Sequence, residues 1–381
     1  KFMKQNNRIL LIGTTAECVY NFRKDLILTL VAKGYEVYAF TTDYIPSELE
    51  KISALGATPV PYIFSRGGLN PLNEFKNTII LYQKIKKINP HLVLSYFAKP
   101  AIFGTIAAKM AKVPKIFAML EGLGYTFTEQ PEGLSTKTKF IKKSQITLFK
   151  LSLPLADGVI FLNRDDPKDL LESNKIQVNK IHILGGIGVD LQDFSYSVKY
   201  PEKDMSFLFI GRLLKEKGIH EFVRAAKIVK AQYPNTRFIV LGGIDDSNLG
   251  SLTEIEIRKL VETNLIIYPG RVDNIIEWIE ACDVFILPSY REGIPKSTQE
   301  VMAIGRPVIT TDVPGCRETV IDGVNGFLVP KWNPQALAEK IIYFIENPDK
   351  IIQMGKESYK LAQERFDSHK VNERMLDVLG L

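Results

Sequence analysis

The stretch Asp283-Val284-Phe285-Ile286-Leu287-Pro288-Ser289-Tyr290-Arg291-Glu292-Gly293-Ile294-Pro295-Lys296-Ser297-Thr298-Gln299-Glu300 decides how the whole chain is read. The run from Asp283 to Leu287, closed by Pro288, has the length and composition of a buried strand. A Gly293-Ile294-Pro295 turn leads into Ser297–Ile304, which reads as a helix with Pro295 near its first position. The order is strand, loop, helix N-terminus, with Glu292 in the loop and Glu300 along the helix. A helix start presents backbone N–H groups without intrahelical partners and carries partial positive charge, which suits a phosphate. Taken alone, the pattern is better explained by a solvated loop glutamate and a helix-surface glutamate.

The same rhythm extends outward. Around this stretch the spacing predicts strands at Met205–Gly211, Arg237–Leu241, Leu265–Tyr268, Val308–Thr311 and Gly326–Val329. Helices are expected between them at 218–231, 253–262, 273–282 and 335–346. Toward the start of the chain, strands are read at 8–13, 35–41, 58–63, 91–96, 115–119, 158–162 and 181–184, and helices at 19–32, 73–88, 100–111 and 136–153. Alternation of this kind implies a parallel sheet covered on both faces, and it occurs twice. The expected fold class is therefore α/β, two Rossmann-like parallel-sheet domains in tandem. The boundaries are set at 1–190 for the first domain, 191–204 for a polar linker, 205–364 for the second domain and 365–381 for a C-terminal helix crossing back to the first. Ligands of such sheets bind at the carboxyl ends of the strands, which puts the expected site in a cleft between the domains.

Composition narrows the classes. A chain of 381 residues suggests about two domains, and 45% hydrophobic with 24% charged residues is ordinary for a soluble globular protein. Cys18, Cys282 and Cys316 are odd in number and widely spaced, fitting neither a disulfide framework nor a zinc site, so a reducing cytosol is expected. No apolar run is long enough to span a bilayer, and Lys1-Phe2-Met3-Lys4 has no apolar core behind it, so neither an integral nor a signal-exported protein is expected. Residues 1–190 hold 25 Lys+Arg against 16 Asp+Glu, a balance of +9, whereas the remainder holds 24 against 27. Only the first half therefore faces an anionic partner. With no zinc finger, RNA-recognition motif or basic zipper, an anionic membrane surface is the better candidate than nucleic acid.

Two further stretches of the second half bear on the chemistry. Gly211-Arg212-Leu213-Leu214-Lys215-Glu216-Lys217-Gly218 follows its first strand, and Arg212 and Lys217 suit neutralisation of a diphosphate, the first as a fork and the second as a point charge. A solvated basic turn is the plain alternative. In the opening stretch, backbone near Gly293, Ile294, Pro295, Lys296, Ser297 and Thr298 suits phosphate oxygens, Glu300 ribose hydroxyls and Glu292 the hydroxyls of a sugar. No Asp-x-Asp triplet occurs in the sequence, so no metal site is expected and charge neutralisation falls on Arg212, Lys217 and the helix start.

Gly211-Arg212, Lys217-Gly218, Pro288-Ser289, Glu292-Gly293 and Glu300 together resemble the retaining glycosyltransferases of family 4, with the GT-B fold. Two glutamates with seven residues between them are that family's signature. The resemblance implies a UDP-sugar donor, transfer with retention of anomeric configuration and no metal or other cofactor. It gives Arg212 and Lys217 the donor diphosphate, Glu300 the ribose and Glu292 the transferred sugar. Many members place a His before a glycine after a strand of the first half; here the passage is Met119-Leu120-Glu121-Gly122-Leu123-Gly124-Tyr125. That role is therefore not carried over. Glu121 is left to accept a hydroxyl of donor or acceptor, to act as base, or to form the charged lip of a glycine turn.

The acceptor side is expected on the first half. Gly13, after the first strand, is placed with the donor. Thr14, Tyr20, Asn21 and Arg23, with Arg66 and Asn70 from the Phe64–Pro71 loop, are placed with the acceptor. The Phe64–Pro71 loop, together with Glu121-Gly122-Leu123-Gly124, resembles bacterial enzymes that extend a polyprenyl-diphosphate-linked sugar, N-acetylgalactosaminyltransferases among them. Arg23 and Arg66 are then partners for the lipid diphosphate or merely surface arginines. Lys137, Lys139, Lys142, Lys143 and Lys150 run beside Phe140, Ile141, Ile146, Leu148 and Phe149, which describes either a packing helix or one lying on an anionic bilayer. The expected location is the cytoplasm, peripheral on the inner face of the cell membrane. Other classes remain in view. A nicotinamide dehydrogenase is disfavoured because Gly13-Thr14-Thr15-Ala16 is no Gly-x-Gly-x-x-Gly, while a UDP-sugar epimerase and a silent sugar-nucleotide-binding subunit stay as alternatives.

Overall fold

The apolar runs become the strands of two parallel sheets. The computed structural model describes residues 7–43, 45–64, 71–245 and 250–381. The first sheet holds β1 (Arg8–Ile12), β2 (Glu36–Thr41), β3 (Thr58–Pro61), β4 (Leu92–Tyr96), β5 (Lys115–Leu120), β6 (Gly158–Phe161) and β7 (Ile181–Ile183). Its spatial order is β3-β2-β1-β4-β5-β6-β7. The second holds β8 (Ser206–Ile210), β9 (Arg237–Leu241), β10 (Ile267–Gly270), β11 (Val284–Leu287), β12 (Val308–Thr311) and β13 (Gly326–Val329), in the order β10-β9-β8-β11-β12-β13. Every strand pairing is parallel. Both orders are the doubly wound one, in which the chain reverses direction across the sheet beside its first strand.

Position in the sheet follows composition. The central strands β4, β6, β11 and β12 are buried at every residue, as strands sandwiched between helix layers must be. Prolines, which cannot donate to a ladder, fall in the edge strands β3 (Pro59, Pro61) and β10 (Pro269). In the first domain the connecting helices are α1 (Ala16–Ala32), α2 (Pro46–Ala54), α3 (Pro71–Ile88), α4 (Ala98–Met110), α5 (Thr136–Ser152) and the short α6 (Asp165–Pro167), continued by a π turn over Lys168–Glu172. The second domain has α7 (Ile219–Gln232), α8 (Glu254–Glu262), α9 (Ile275–Ala281), α10 (Lys296–Ile304), α11 (Pro334–Glu346) and α12 (Asp349–Arg365), and the chain ends in α13 (Ser368–Leu379).

Besides the short α6, two longer helices lie outside the pattern expected from periodicity. α2 buries only Ile52, too little for an apolar face to register. α12 carries Gly355 in its interior, where a Cβ would stand 2.2 Å from the carbonyl oxygen of Gly305. That glycine permits close helix packing rather than breaking the helix. The compact units also depart from a simple division of the chain. One comprises 1–123, 137–184 and 372–381; the other comprises 124–136 and 185–371. The polar run 195–204 lacks regular structure and packs within the second unit. Tyr196 stacks on Tyr359 with ring centroids 4.5 Å apart, and the buried Arg306 donates to the Ser197 carbonyl at 2.7 Å.

Candidate active site

In a doubly wound sheet the crevice forms where strand order reverses, here at the carboxyl ends of β8 and β11. The two loops marked in the sequence leave these two strands. After β8 the chain makes a tight turn over Lys215–Lys217 and reaches Gly218 at φ 77°. A Cβ on Gly218 would lie 2.0 Å from the Pro288 carbonyl oxygen, so only glycine allows the β8 loop to rest on the β11 loop. Tyr290 N donates to Glu216 O at 2.9 Å and closes the contact.

Lys217 and Glu292 meet across this junction, Nζ to Oε1 2.5 Å. Ser289 Oγ donates to the same carboxylate oxygen at 2.8 Å. The backbone below is fixed as well. Glu292 N donates to Pro314 O at 3.0 Å, and Gly315 leaves room for the Glu292 and Gly293 carbonyls, which a Cβ would meet at 2.2 and 2.5 Å. Burial pushes the neighbouring Cys316 thiol up to about 12, with the Glu292 charge acting in the same direction, so Cys316 is a neutral packing residue. Glu292 is 10% and Lys217 24% exposed, which leaves both within reach of a ligand.

α10 begins directly after Pro295, and no side chain caps it. Thr298, in its first turn, is fully buried and its Oγ1 has no hydrogen-bond partner. An orphaned hydroxyl beside an uncapped helix start suits an anion with several acceptor oxygens. Gly293, Ile294 and Pro295 are buried and shape the approach, while Lys296 and Ser297 are half-buried. One turn on, Glu300 is 14% exposed and 3.7 Å from Lys296. Burial raises the Glu300 carboxyl above the ordinary carboxylate range, partly offset by Lys296. Arg212 is exposed, with Asp245 3.5 Å away. Gln299, which sequence reasoning passed over, is buried: its Nε2 donates to Ile294 O at 3.2 Å and its Oε1 accepts from Gly188 N at 3.0 Å. It ties the Gly293–Pro295 turn to the glycine-rich passage at 185–190. The visible signal was that passage, where Gly186 has φ 146° and a Cβ would press on Gln299 at 3.0 Å.

In the first domain the corresponding reversal lies between β1 and β4. Gly13 follows β1 because the Tyr96 ring covers it; a Cβ would stand 2.2 Å from that ring. Its carbonyl accepts from Tyr62 Oη. Thr14 is partly exposed and Tyr20 and Asn21 are exposed, whereas Arg23 is not on the surface at all. Arg23 is 2% exposed, pairs through Nη2 with Glu121 Oε1, and lies 4.2 Å above the Tyr96 ring. Burial lowers its guanidinium to about 10, so it is still charged at neutral pH. The pair joins α1 to the end of β5 and neutralises both groups. In this arrangement Glu121 is occupied by a cation, and Arg23 offers no free charge to a lipid diphosphate. Beside them Phe97 stands at φ 70° at the end of β4, a conformation that costs a bulky residue ~1–3 kcal/mol and concentrates at functional sites. Arg66 and Asn70 lie outside the described residues. Among the described residues no helix is long and apolar enough to cross a membrane.

Comparison with known proteins bears on both halves. Residues 8–182 match the glycosyl transferase 4-like family, and residues 192–361 match glycosyl transferases group 1. The N,N'-diacetylbacillosaminyl-diphospho-undecaprenol alpha-1,3-N-acetylgalactosaminyltransferase of Campylobacter jejuni is 29% identical over 97% of each chain. The capsular polysaccharide biosynthesis glycosyltransferase CapM of Staphylococcus aureus is 26% identical over 97% of this chain and 96% of its own. Among solved structures, Anabaena HepE in complex with UDP superposes with a TM-score of 0.75 at 19% identity, covering 98% of this chain and 99% of that one. That likeness establishes a shared architecture, two parallel-sheet domains of the GT-B kind.

Proposed function

The chain belongs to the glycosyltransferases, and we propose that it moves an N-acetylhexosamine from a UDP-sugar to a polyprenyl-diphosphate-linked saccharide. The observation that carries the reading is the meeting of Lys217 and Glu292 beside the uncapped start of α10, at the strand reversal of the second sheet. The bond that breaks joins the anomeric carbon to the donor diphosphate, which leaves with both electrons; an acceptor hydroxyl oxygen forms the new bond to that carbon and its proton passes to the departing diphosphate. Negative charge then grows on the diphosphate. Lys217, Arg212 and the first turn of α10, with the unpartnered Thr298 hydroxyl, are the groups to stabilise it, without a metal or other cofactor. Lys217 pairs with Glu292 at 2.5 Å; on donor binding Lys217 turns to the diphosphate and Glu292 to a sugar hydroxyl. Glu300 holds the ribose. Transfer proceeds with retention, as the resemblance of the two-glutamate stretch implies.

The choice of acceptor rests on similarity to the Campylobacter transferase, whose name specifies a diphospho-undecaprenol-linked sugar. Such an acceptor places the enzyme peripherally on the inner face of the cell membrane. The test is purified chain with a panel of UDP-sugars and a short-chain polyprenyl-diphosphate sugar. Acceptor-dependent UDP release, with an α-linked product from an α-linked donor, is expected. Donor epimerisation, or UDP binding without turnover under any pairing, would overturn the reading.

A further inference from the structure

The first domain contains an apolar groove that none of the chemistry above uses. α3, α4 and α5 line it around about 860 Å3, within the ~300–1,000 Å3 of pockets that bury a small ligand. Its walls are Phe75 and Ile79 of α3, Ile106 and Met110 of α4, and Phe140 and Leu148 of α5. The charged groups in the lining, Glu74 and Lys99, pair with each other at 3.3 Å. Phe75 and Phe140 are 70% and 72% exposed, so two large rings stand in water at its rim. Exposed aromatic surface of this kind marks a place that something covers.

The surroundings say what. α5 carries Lys137, Lys139, Lys142, Lys143 and Lys150 and no acidic residue, and Lys137, Lys139, Lys143 and Lys150 are exposed. An apolar slot beside a strip of cations is complementary to a hydrocarbon chain that ends in several negative charges. A helix that merely lies on a bilayer presents a convex apolar face; here the apolar surface is concave, which suits one inserted chain. We propose that this groove receives the first isoprene units of the acceptor, with the α5 lysines attracting its diphosphate. The assignment rests on the polyprenyl-diphosphate reading of the acceptor.

The test uses the full chain without donor. Farnesyl diphosphate, geranyl diphosphate and inorganic diphosphate are titrated by calorimetry, with phosphatidylglycerol vesicles as a separate arm. Farnesyl diphosphate is expected to bind at least tenfold tighter than geranyl diphosphate, and inorganic diphosphate weakest. Phe75→Ser with Phe140→Ser should bring the two prenyl ligands within about twofold of each other while the melting midpoint stays at the wild-type value. Photolabelling by a diazirine-bearing farnesyl diphosphate checks the site without any substitution; label within 71–88, 98–110 and 136–152 is expected. Label elsewhere, affinity independent of chain length, or loss of vesicle binding alone in the variant would each overturn the proposal. Acceptor transfer with no chain-length preference would refute the groove and leave the function standing. Chain-length preference without transfer to any lipid-linked sugar would do the reverse.

Discussion

Replacing Gly218 with alanine strikes the contact on which the second-domain site is built. Gly218 sits at φ 77° and ψ 20°, and a Cβ there would lie 2.0 Å from the Pro288 oxygen and 2.5 Å from its carbonyl carbon. The left-handed conformation alone costs an alanine ~1–2 kcal/mol. Forcing a methyl against packed backbone adds ~1–3 kcal/mol, giving a destabilisation of ~2–5 kcal/mol in all. At ~2–4 °C per kcal/mol for a body of this size, the melting midpoint should fall by ~4–20 °C. The strain is relieved only if the β8 and β11 loops separate by more than an ångström. Lys217 is carried by one loop and Glu292 by the other, and a misplacement of ~1 Å costs ~100-fold in rate. Calorimetric melting and acceptor-dependent UDP release read the two effects. Gly243→Ala is the control: it lies in the next loop, has no heavy atom within 4 Å of its would-be Cβ, and should melt with the wild type. A Gly218→Ala protein with the wild-type midpoint and wild-type turnover would refute the coupling of the two loops.

Glu300 gives a pH signature. Because burial raises its carboxyl, the folded chain keeps this proton where the unfolded chain has lost it, so its contribution to stability declines as pH rises from the ordinary carboxylate value to the raised one. Glu300→Gln should abolish that decline in thermal melts, whereas wild-type UDP affinity should climb over the same window as the ionised carboxylate becomes able to accept ribose hydroxyls. Parallel pH profiles for the two proteins, in either measurement, would contradict this. For the Arg23–Glu121 pair, removing Arg23 alone strands a carboxylate that is 7% exposed and should cost ~3–5 kcal/mol. Arg23→Ala combined with Glu121→Ala should recover a large part of this in urea unfolding. Additive losses would show that the two groups do not depend on each other.

Much of the architecture was readable in the chain because parallel strands buried on both faces are continuous apolar runs. Arg237–Leu241, Val308–Thr311 and Gly326–Val329 can be read to the residue, each bounded by Gly, Pro or polar residues. α2 and α12 escape that reading, since one buries a single side chain and the other uses a glycine where periodicity sees a break. The site divides in the same way. Lys217 and Glu292 could be singled out because each lies in a loop after a strand, a local pattern. Their contact at 2.5 Å depends on β8 and β11 being neighbours, which no local pattern contains. Arg23 misleads for a related reason. Flanked by Lys24 and Asp25 it looks like part of a solvated face, and only the approach of β5 to α1 reveals that its partner is Glu121.

The division of the chain into units bears on how it is made. Residues 372–381 belong to the first unit, where Lys115 Nζ reaches Gly380 O at 3.1 Å and Arg374 Nε reaches Leu184 O at 3.3 Å. Residues 124–136 belong to the second, which otherwise begins at Gly185. During synthesis at ~5–20 residues per second, the first unit must therefore wait ~10–40 s after Leu184 for its last segment. Its sheet is complete by β7, but its finished surface is not. Neither unit can be cut out as one continuous gene fragment, and a ribosome stalled between residues 185 and 371 holds two unfinished units rather than one finished and one pending.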